Sequence, residues 1–339
     1  MLQNQKGDKM TSLKVKSPFN GRLLQEIPLM DTKAIEEKMA KAHALFQNRS
    51  RWLKPFERIA ILERTKTLME ARVEDLSKIA ASEGGKPYQD SKVEVLRAIN
   101  GVQLAIEYIG QIKGEQIPMG TTAASLNRLA FTMPEPIGVV LSISAFNHPL
   151  NLAVHQIIPA FAVGCPADWV ETVVCNRENA ELMVKDSRVN YFSFIGSSEV
   201  GWSLRSKLAP GTHCAMEHGG SAPVIVMPDT DIDDAVSLLG KGSFYHAGQV
   251  CVSVQRVYVH KSIMEEFSEK LVAYAKSMKV GDPLDPFTEV GPIIDTWEQE
   301  RIHHWVTEAV EEGAELMCGG HKFLETCYLP TVLMNPSVE

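Results

Sequence analysis

The stretch "IGVVLSIS", residues 137–144, is an almost unbroken apolar run closed by a small polar residue. A strand covered on one face alternates apolar and polar side chains. A strand buried on both faces of a parallel sheet reads as a continuous apolar run, as this one does. Working outward, a helix-like segment spans 148–163. Next come "WVETVV" (169–174), a short helix in "RENAELMVKD", the strand "NYFSFIG", the helix "SEVGWSLRSKLA" and the strand "HCAMEHG". This alternation of strand and helix predicts an α/β fold with a doubly wound sheet of the Rossmann-like, dinucleotide-binding type.

Upstream, the first third of the chain reads as helical. "DTKAIEEKMAKAHALF" opens on Asp31 as N-cap. The run from Pro55 to the glycines at 84–85 places proline at a helix start and glycine at its end. "QDSKVEVLRAINGVQLAIEYIGQIKG" is a third amphipathic run, and "ASLNRLAFTMPEP" reads as a hairpin arm projecting over about 120–136. Downstream of Gly220, "APVIVM" and "QRVYVH" are strands. Helices follow Asp231, begin near Ser262 and follow Asp295, with a Pro/Gly/Asp loop at 280–294. The division expected is a first unit at 12–219 and a second, α/β unit at 220–339.

With 339 residues the chain is long enough for two domains. Its composition, 45% hydrophobic and 22% charged, is that of a core-forming protein. A formal net charge of −8 argues against nucleic acid or anionic membrane as partner and favours small-molecule chemistry. The first eleven residues lack the apolar core of a signal peptide. The six cysteines form no C-x-x-C pair. Both features predict a cytoplasmic chain with reduced thiols. The most apolar stretch, "PLNLAVHQIIPAFAVGCP", is interrupted by His155, Gln156 and Pro159 and falls short of the ~20 residues a spanning helix needs. No zinc-type cysteine spacing or H-E-x-x-H occurs, and the paired His303-His304 reads as a solvated helix face, so no metal is expected.

Four local features carry possible chemistry. Cys251 lies in "GQVCVS", behind a glycine and a glutamine, where a buried packing thiol is the plain alternative. Glu217 ends a strand in "MEHGG" and has a plain reading as a loop carboxylate. Asn147, in "SAFNHP", has one as a turn cap. The turn "FIGSSEVG" joins a strand to a helix N-terminus, a place that suits phosphate, although it is not G-x-G-x-x-G. Three of the four end strands of one parallel sheet, where ligands of such sheets sit. A thiol, a carboxylate and an amide gathered there supply a nucleophile, a base and an oxyanion donor.

These motifs make the chain resemble the aldehyde dehydrogenase superfamily. "EHGG" is similar to the family's glutamate-glycine-glycine motif, "GQVCVSVQRVYVH" to its cysteine motif, "SAFNHPLNL" to its asparagine turn and "FIGSSEVG" to its coenzyme turn. The resemblance implies NAD(P)+-dependent oxidation of an aldehyde to a carboxylic acid. In that scheme Cys251 attacks the aldehyde carbon, and Asn147 and the Cys251 N–H stabilise the oxyanion. Hydride leaves for the nicotinamide, and Glu217 activates the water that hydrolyses the thioester. It also implies that Ile143, Ser144, Ala145, Phe146, Gly196, Ser197, Gly201 and Glu217 lie along NAD or NADP. The wording of the motifs is closest to members acting on small aldehydes.

Two departures from the family pattern bear on these expectations. After "AVGCP" the family continues into a Lys-Pro-Ala-like strand and another helix, whereas here Pro166 is followed at once by "ADWVETVV". The adenosine-ribose lysine and one β-α unit are then missing at 166/167, unless Asp168 and Trp169 rebuild that pocket. The sequence also stops before the Glu-x-Phe-Gly-Pro-like motif and the arm that pairs subunits. A homo-oligomer would thus be weakened, and edge strands left open to aggregation. Besides the dehydrogenase, the same residues admit a coenzyme-free Cys/Glu esterase-type hydrolase or a non-catalytic remnant.

Overall fold

The computed structural model describes residues 11–166 and 169–337. Strands Val139–Ile143, Val189–Gly196 and His213–His218 form an all-parallel, three-stranded sheet with Val189–Gly196 in the middle. Phe192 and Phe194 of the middle strand are buried against Val184, with Leu204 and Met216 packed around them. The helices Pro149–Val163, Arg177–Val184 and Ser198–Arg205 follow the sheet's connections as expected.

Two readings of this region are corrected. Val139–Ile143 lies at an edge, and only Val139 within it is buried. Its continuous apolar run therefore does not mark a central strand. "WVETVV" does not join the sheet at all. Trp169–Val174 has no regular secondary structure, with the Met30 N–H donating to the Val174 carbonyl (2.8 Å) and Val173 packing on Ile35, Met39, Met183 and Val189. Asp168, the other residue expected near a rebuilt adenosine pocket, lies outside the described residues.

The N-terminal third is less uniformly helical than its sequence suggests. Ser12–Lys16 and Leu23–Pro28 form an antiparallel hairpin that helical periodicity does not disclose. Thr32–Gln47 follows, with Asp31 capping it through Ala34 N–H (2.8 Å). The run from Pro55 is two helices, Pro55–Glu70 and Val73–Gly84, broken at Ala71–Arg72 without glycine or proline. The projecting arm is a short ladder of Gln116–Ile117 with Ala130–Phe131, leaving Leu129, Phe131 and Met133 exposed.

The 22-residue helix Tyr88–Ile109 carries the largest load. Its stripe of Ala98, Val102 and Ile109 packs on Val154 and Ala162 of Pro149–Val163 and on Leu62. Beyond Gly220, Val224–Val226 pairs in parallel with Val257–Val259. The intervening helix Ile232–Phe244, capped by Asp231, packs with Met264–Ser277 through Val236, Phe267 and Leu271. Small antiparallel pairs at Glu315–Cys318 with Val332–Met334, and Lys322–Phe323 with Cys327–Tyr328, complete the described chain.

Candidate active site

The carboxyl ends of the three parallel strands bring most of the singled-out residues to one side of the sheet. Ile143 ends its strand, and Ser144, Ala145, Phe146 and Asn147 form the turn into the helix Pro149–Val163. The buried Gln156 side chain reaches back from that helix to hold two strand ends together. Its Nε2 meets the Ile143 carbonyl (3.2 Å) and the Ser193 Oγ (3.0 Å).

Asn147 is the point of contact with the cysteine loop. Its Nδ2 donates to the carbonyl of Gln249 (3.0 Å), two residues before Cys251, while its Oδ1 is buried without a protein partner. The Gln249 side chain fixes this loop in turn. It donates to the carbonyls of His246 (3.1 Å) and Pro292 (3.2 Å) and accepts from the Ile294 N–H (2.9 Å).

The loop itself is built from unusual backbone. His246, Ala247 and Gly248 are all left-handed, with φ of 50°, 53° and 75°. Glycine adopts that region freely, but the other two residues do so at a cost of about 1–2 kcal/mol each. The result delivers Cys251 to the surface; among the six free cysteines it alone is exposed. Burial pushes the thiols of Cys165 and Cys327 up, to about 12 and about 11, so neither is a ready nucleophile.

Glu217 is exposed near the end of His213–His218, in register with Ile195. The glycines that follow lie against the cysteine loop: a Cβ on Gly220 would stand 3.6 Å from the Cys251 carbonyl oxygen. Thus the chain returns to Cys251 three residues after Glu217. On the neighbouring strand, Gly196 leads into Ser197, the N-cap of Ser198–Arg205, whose side chain makes no cap hydrogen bond. The first N–H groups of that helix have no intrahelical acceptor, as an anion site requires. Gly201 allows a close approach, since a Cβ there would fall 2.3 Å from His218 Nε2. This donor set fits a phosphate of a dinucleotide.

Behind the Asn147 turn lies a buried polar cluster that sequence reasoning missed. Lys86 and Glu94 form a fully buried ion pair. Lys86 Nζ also donates to the Asn147 carbonyl (3.0 Å), while Glu94 Oε1 accepts from the N–H groups of Leu150 (2.9 Å) and Asn151 (3.1 Å). Asp90, one helical turn before Glu94, pairs with Lys241 (2.8 Å). Burial holds Lys86 below the ordinary lysine value against the opposing pull of Glu94, and raises Asp90 against the pull of Lys241. His148 stacks on Tyr245 with ring centroids 5.8 Å apart. Phe146 meets His246 edge-on at 6.1 Å. The sequence did hold one signal: counting back by four along the apolar stripe from Val102 and Ala98 reaches Glu94 and Asp90, charges on a face meant for the core.

Among the described residues no cluster of three or more His, Cys, Asp or Glu side chains is placed to hold a metal, and no helix is long and apolar enough to cross a membrane. Trp169 lines a cavity of about 520 Å³ with Lys41, Leu53, Ile61, Phe161 and Glu171, beside the break at 166.

An exposed thiol, a strand-end carboxylate and a tethered amide thus stand toward the carboxyl ends of the strands of one parallel sheet in an α/β protein. The chain belongs to the aldehyde dehydrogenase family, whose model matches residues 5–169 and 163–339, two segments that overlap over 163–169. It is 36% identical over 352 residues to a 3-sulfolactaldehyde dehydrogenase of Priestia aryabhattai, covering 95% of this chain and 72% of that protein. It is 34% identical over 348 residues to a lactaldehyde dehydrogenase of Methanocaldococcus jannaschii, covering 94% and 73%. Both aligned lengths exceed the chain's own 339 residues, so each relative carries residues within the match that have no counterpart here. The fold superposes on the glyceraldehyde-3-phosphate dehydrogenase of M. jannaschii complexed with NADP at a TM-score of 0.88. Identity there is 33%, over 96% of this chain and 76% of that one. Aldehyde dehydrogenase 21 of Physcomitrella patens, in complex with the product succinate, gives 0.90 at 31% identity, over 98% and 74%.

Proposed function

We propose that this chain carries the machinery for NAD(P)+-dependent oxidation of a small aldehyde to its acid, with Cys251 as nucleophile, Asn147 as oxyanion donor and Glu217 as general base. The observation that supports this most is the double tether of the cysteine loop. Asn147 holds it from one strand end, and Gly220 lies against it from the strand that carries Glu217. Attack by the Cys251 thiolate on the carbonyl carbon makes a thiohemiacetal whose oxygen is met by the Asn147 carboxamide. Ile143–Phe146 on one side and Gly196, Ser197 and Gly201 on the other would hold NAD or NADP, which would supply the hydride acceptor for the reaction. Glu217, exposed to solvent, then takes a proton from the water that releases the acid.

The division into a coenzyme-binding part at 12–219 and a catalytic part at 220–339 belongs to this reading, as does a β-α unit lacking at 166/167. The relatives' names point to 2-hydroxyaldehydes, so lactaldehyde, 3-sulfolactaldehyde and glyceraldehyde 3-phosphate form the first substrate panel. Aldehyde-dependent growth of the 340 nm absorbance of reduced coenzyme tests the reading; no reduction with any aldehyde and either coenzyme overturns it. A second reading, a coenzyme-free thiol hydrolase, is favoured by the Trp169–Val174 segment lying outside the sheet that should floor the adenosine site. Hydrolysis of 4-nitrophenyl acetate in the absence of coenzyme, without any aldehyde oxidation, identifies it.

A further inference from the structure

Asn147 can serve only if its carboxamide is held still, and its own contacts leave that to its backbone. The side chain makes one hydrogen bond, through Nδ2 to Gln249, and its Oδ1 has no protein partner. The turn that carries it is clamped from beneath at both ends. Lys86 Nζ grips the Asn147 carbonyl, and Glu94 Oε1 grips the N–H groups of Leu150 and Asn151 at the start of the next helix. The two gripping residues are bonded to each other.

We infer that the buried Lys86–Glu94 pair is a positioning device for Asn147, setting where its carboxamide stands relative to Cys251; the inference rests on the proposed oxyanion role of Asn147. Burial of this kind argues for a role beyond stability. Two charges withdrawn from water lose hydration that their mutual attraction only partly returns, and apolar replacements of buried pairs are often as stable. Lys86 is fully buried at the junction between Val73–Gly84 and Tyr88–Ile109, and methionine is an unbranched, uncharged side chain of similar length. What methionine cannot do is donate to the Asn147 carbonyl. The placement also reaches beyond one helix. Gln89 and Tyr88, beside the pair, bond to the carbonyls of Pro286 and Pro283, so this corner is anchored to the 280–294 loop that also receives Gln249.

Lys86→Met alone strands the Glu94 carboxylate, so the test is the pair Lys86→Met/Glu94→Gln. In it glutamine Oε1 still accepts from Leu150 and Asn151, and neither of the two positions carries a charge. Three measurements are made on the full chain. Thermal unfolding reports the fold. The rate of Cys251 alkylation by iodoacetamide reports the thiol, since alkylation develops no oxyanion. Steady-state kinetics of ester hydrolysis, with 4-nitrophenyl acetate as substrate, report the placement of Asn147. The expected result is a folded protein with wild-type alkylation and KM, and kcat lowered about 10²-fold, the scale set by displacing a reactive group by ~1 Å. An equal loss in Asn147→Ser, with no further loss when the three changes are combined, is expected if the pair acts through Asn147. Unchanged kcat in the folded double variant, or additive losses, overturns the inference. A wild-type chain without hydrolase activity counts against the proposed function rather than the clamp. The Asn147 side-chain amide signals in a ¹⁵N-asparagine-labelled sample, assigned by their loss in Asn147→Ser, then decide. They are expected to be dispersed in the wild type and averaged in the double variant; signals that stay put overturn the clamp.

Discussion

At the scale of single residues, Cys251 is the one fully exposed cysteine of the six, on the turn that follows the left-handed residues 246–248. Cys251→Ser is expected to abolish aldehyde oxidation and ester hydrolysis while leaving the thermal unfolding midpoint in place. Cys214→Ser should keep both activities, and the reverse pattern would refute the assignment. Glu217→Gln should slow turnover about 10²–10⁴-fold while still allowing a single-turnover burst, because the base enters at deacylation. Behind the site, burial, aided by Lys86 and Arg97, lowers His148 to about 4, and burial drives His246 well below the ordinary histidine value. Both rings are neutral in the folded protein. The unfolded chain takes up these protons below about pH 6.5, so their contribution to stability is complete above that pH and is lost as pH falls toward 4. The urea midpoint should therefore drop between pH 6.5 and 4, and His148→Phe should flatten the slope. A slope identical to wild type would show that His148 titrates normally.

At the scale of elements, the turn ahead of Cys251 holds the clearest local conflict between sequence and backbone. A left-handed alanine between a left-handed histidine and a left-handed glycine is a conformation the sequence offers no reason to expect. Ala247→Gly should relieve about 1 kcal/mol of that conflict and raise the unfolding midpoint by a few degrees, less the entropy that glycine adds to the unfolded chain; a fall would mean that the alanine methyl packs usefully. What is legible elsewhere follows the same logic. Asp31, Asp231 and Asp295 are readable as caps because a side-chain oxygen before an amphipathic run has one local job, and each accepts the expected N–H. The strand ends carrying Asn147, Gly196 and Glu217 are readable because motif and sheet position coincide. The hairpin at 12–28, the break at Ala71–Arg72 and the Lys86–Glu94 pair are not. Period alone announces neither the hairpin nor the break, and of the ion pair it shows only a charge on an apolar stripe.

At the scale of the whole molecule, the junction at 166 governs what the chain can bind. The helix Pro149–Val163 and the irregular segment Trp169–Val174 leave the sheet three strands wide, with Val139–Ile143 at its margin. The lysine that the resemblance places on the adenosine ribose has no counterpart between them. One charge-assisted hydrogen bond is worth roughly 1.5–3 kcal/mol, so NAD or NADP should bind about one to two decades more weakly than to the same chain carrying a β-α segment inserted after Pro166. Calorimetric titration of the two chains compares them directly; equal micromolar affinity would mean that the residues around Trp169 rebuild the pocket. The bare margin of Val139–Ile143 has another side. Its outward N–H and C=O groups offer a ladder to an added strand, since main-chain hydrogen bonds carry such recognition. A β-α segment of the kind proposed to be lacking after Pro166 would find its ladder there. A synthetic β-strand peptide of that segment, offered in trans, should dock there and raise the thermal midpoint in a concentration-dependent way, turning a shortened enzyme into one half of a split one.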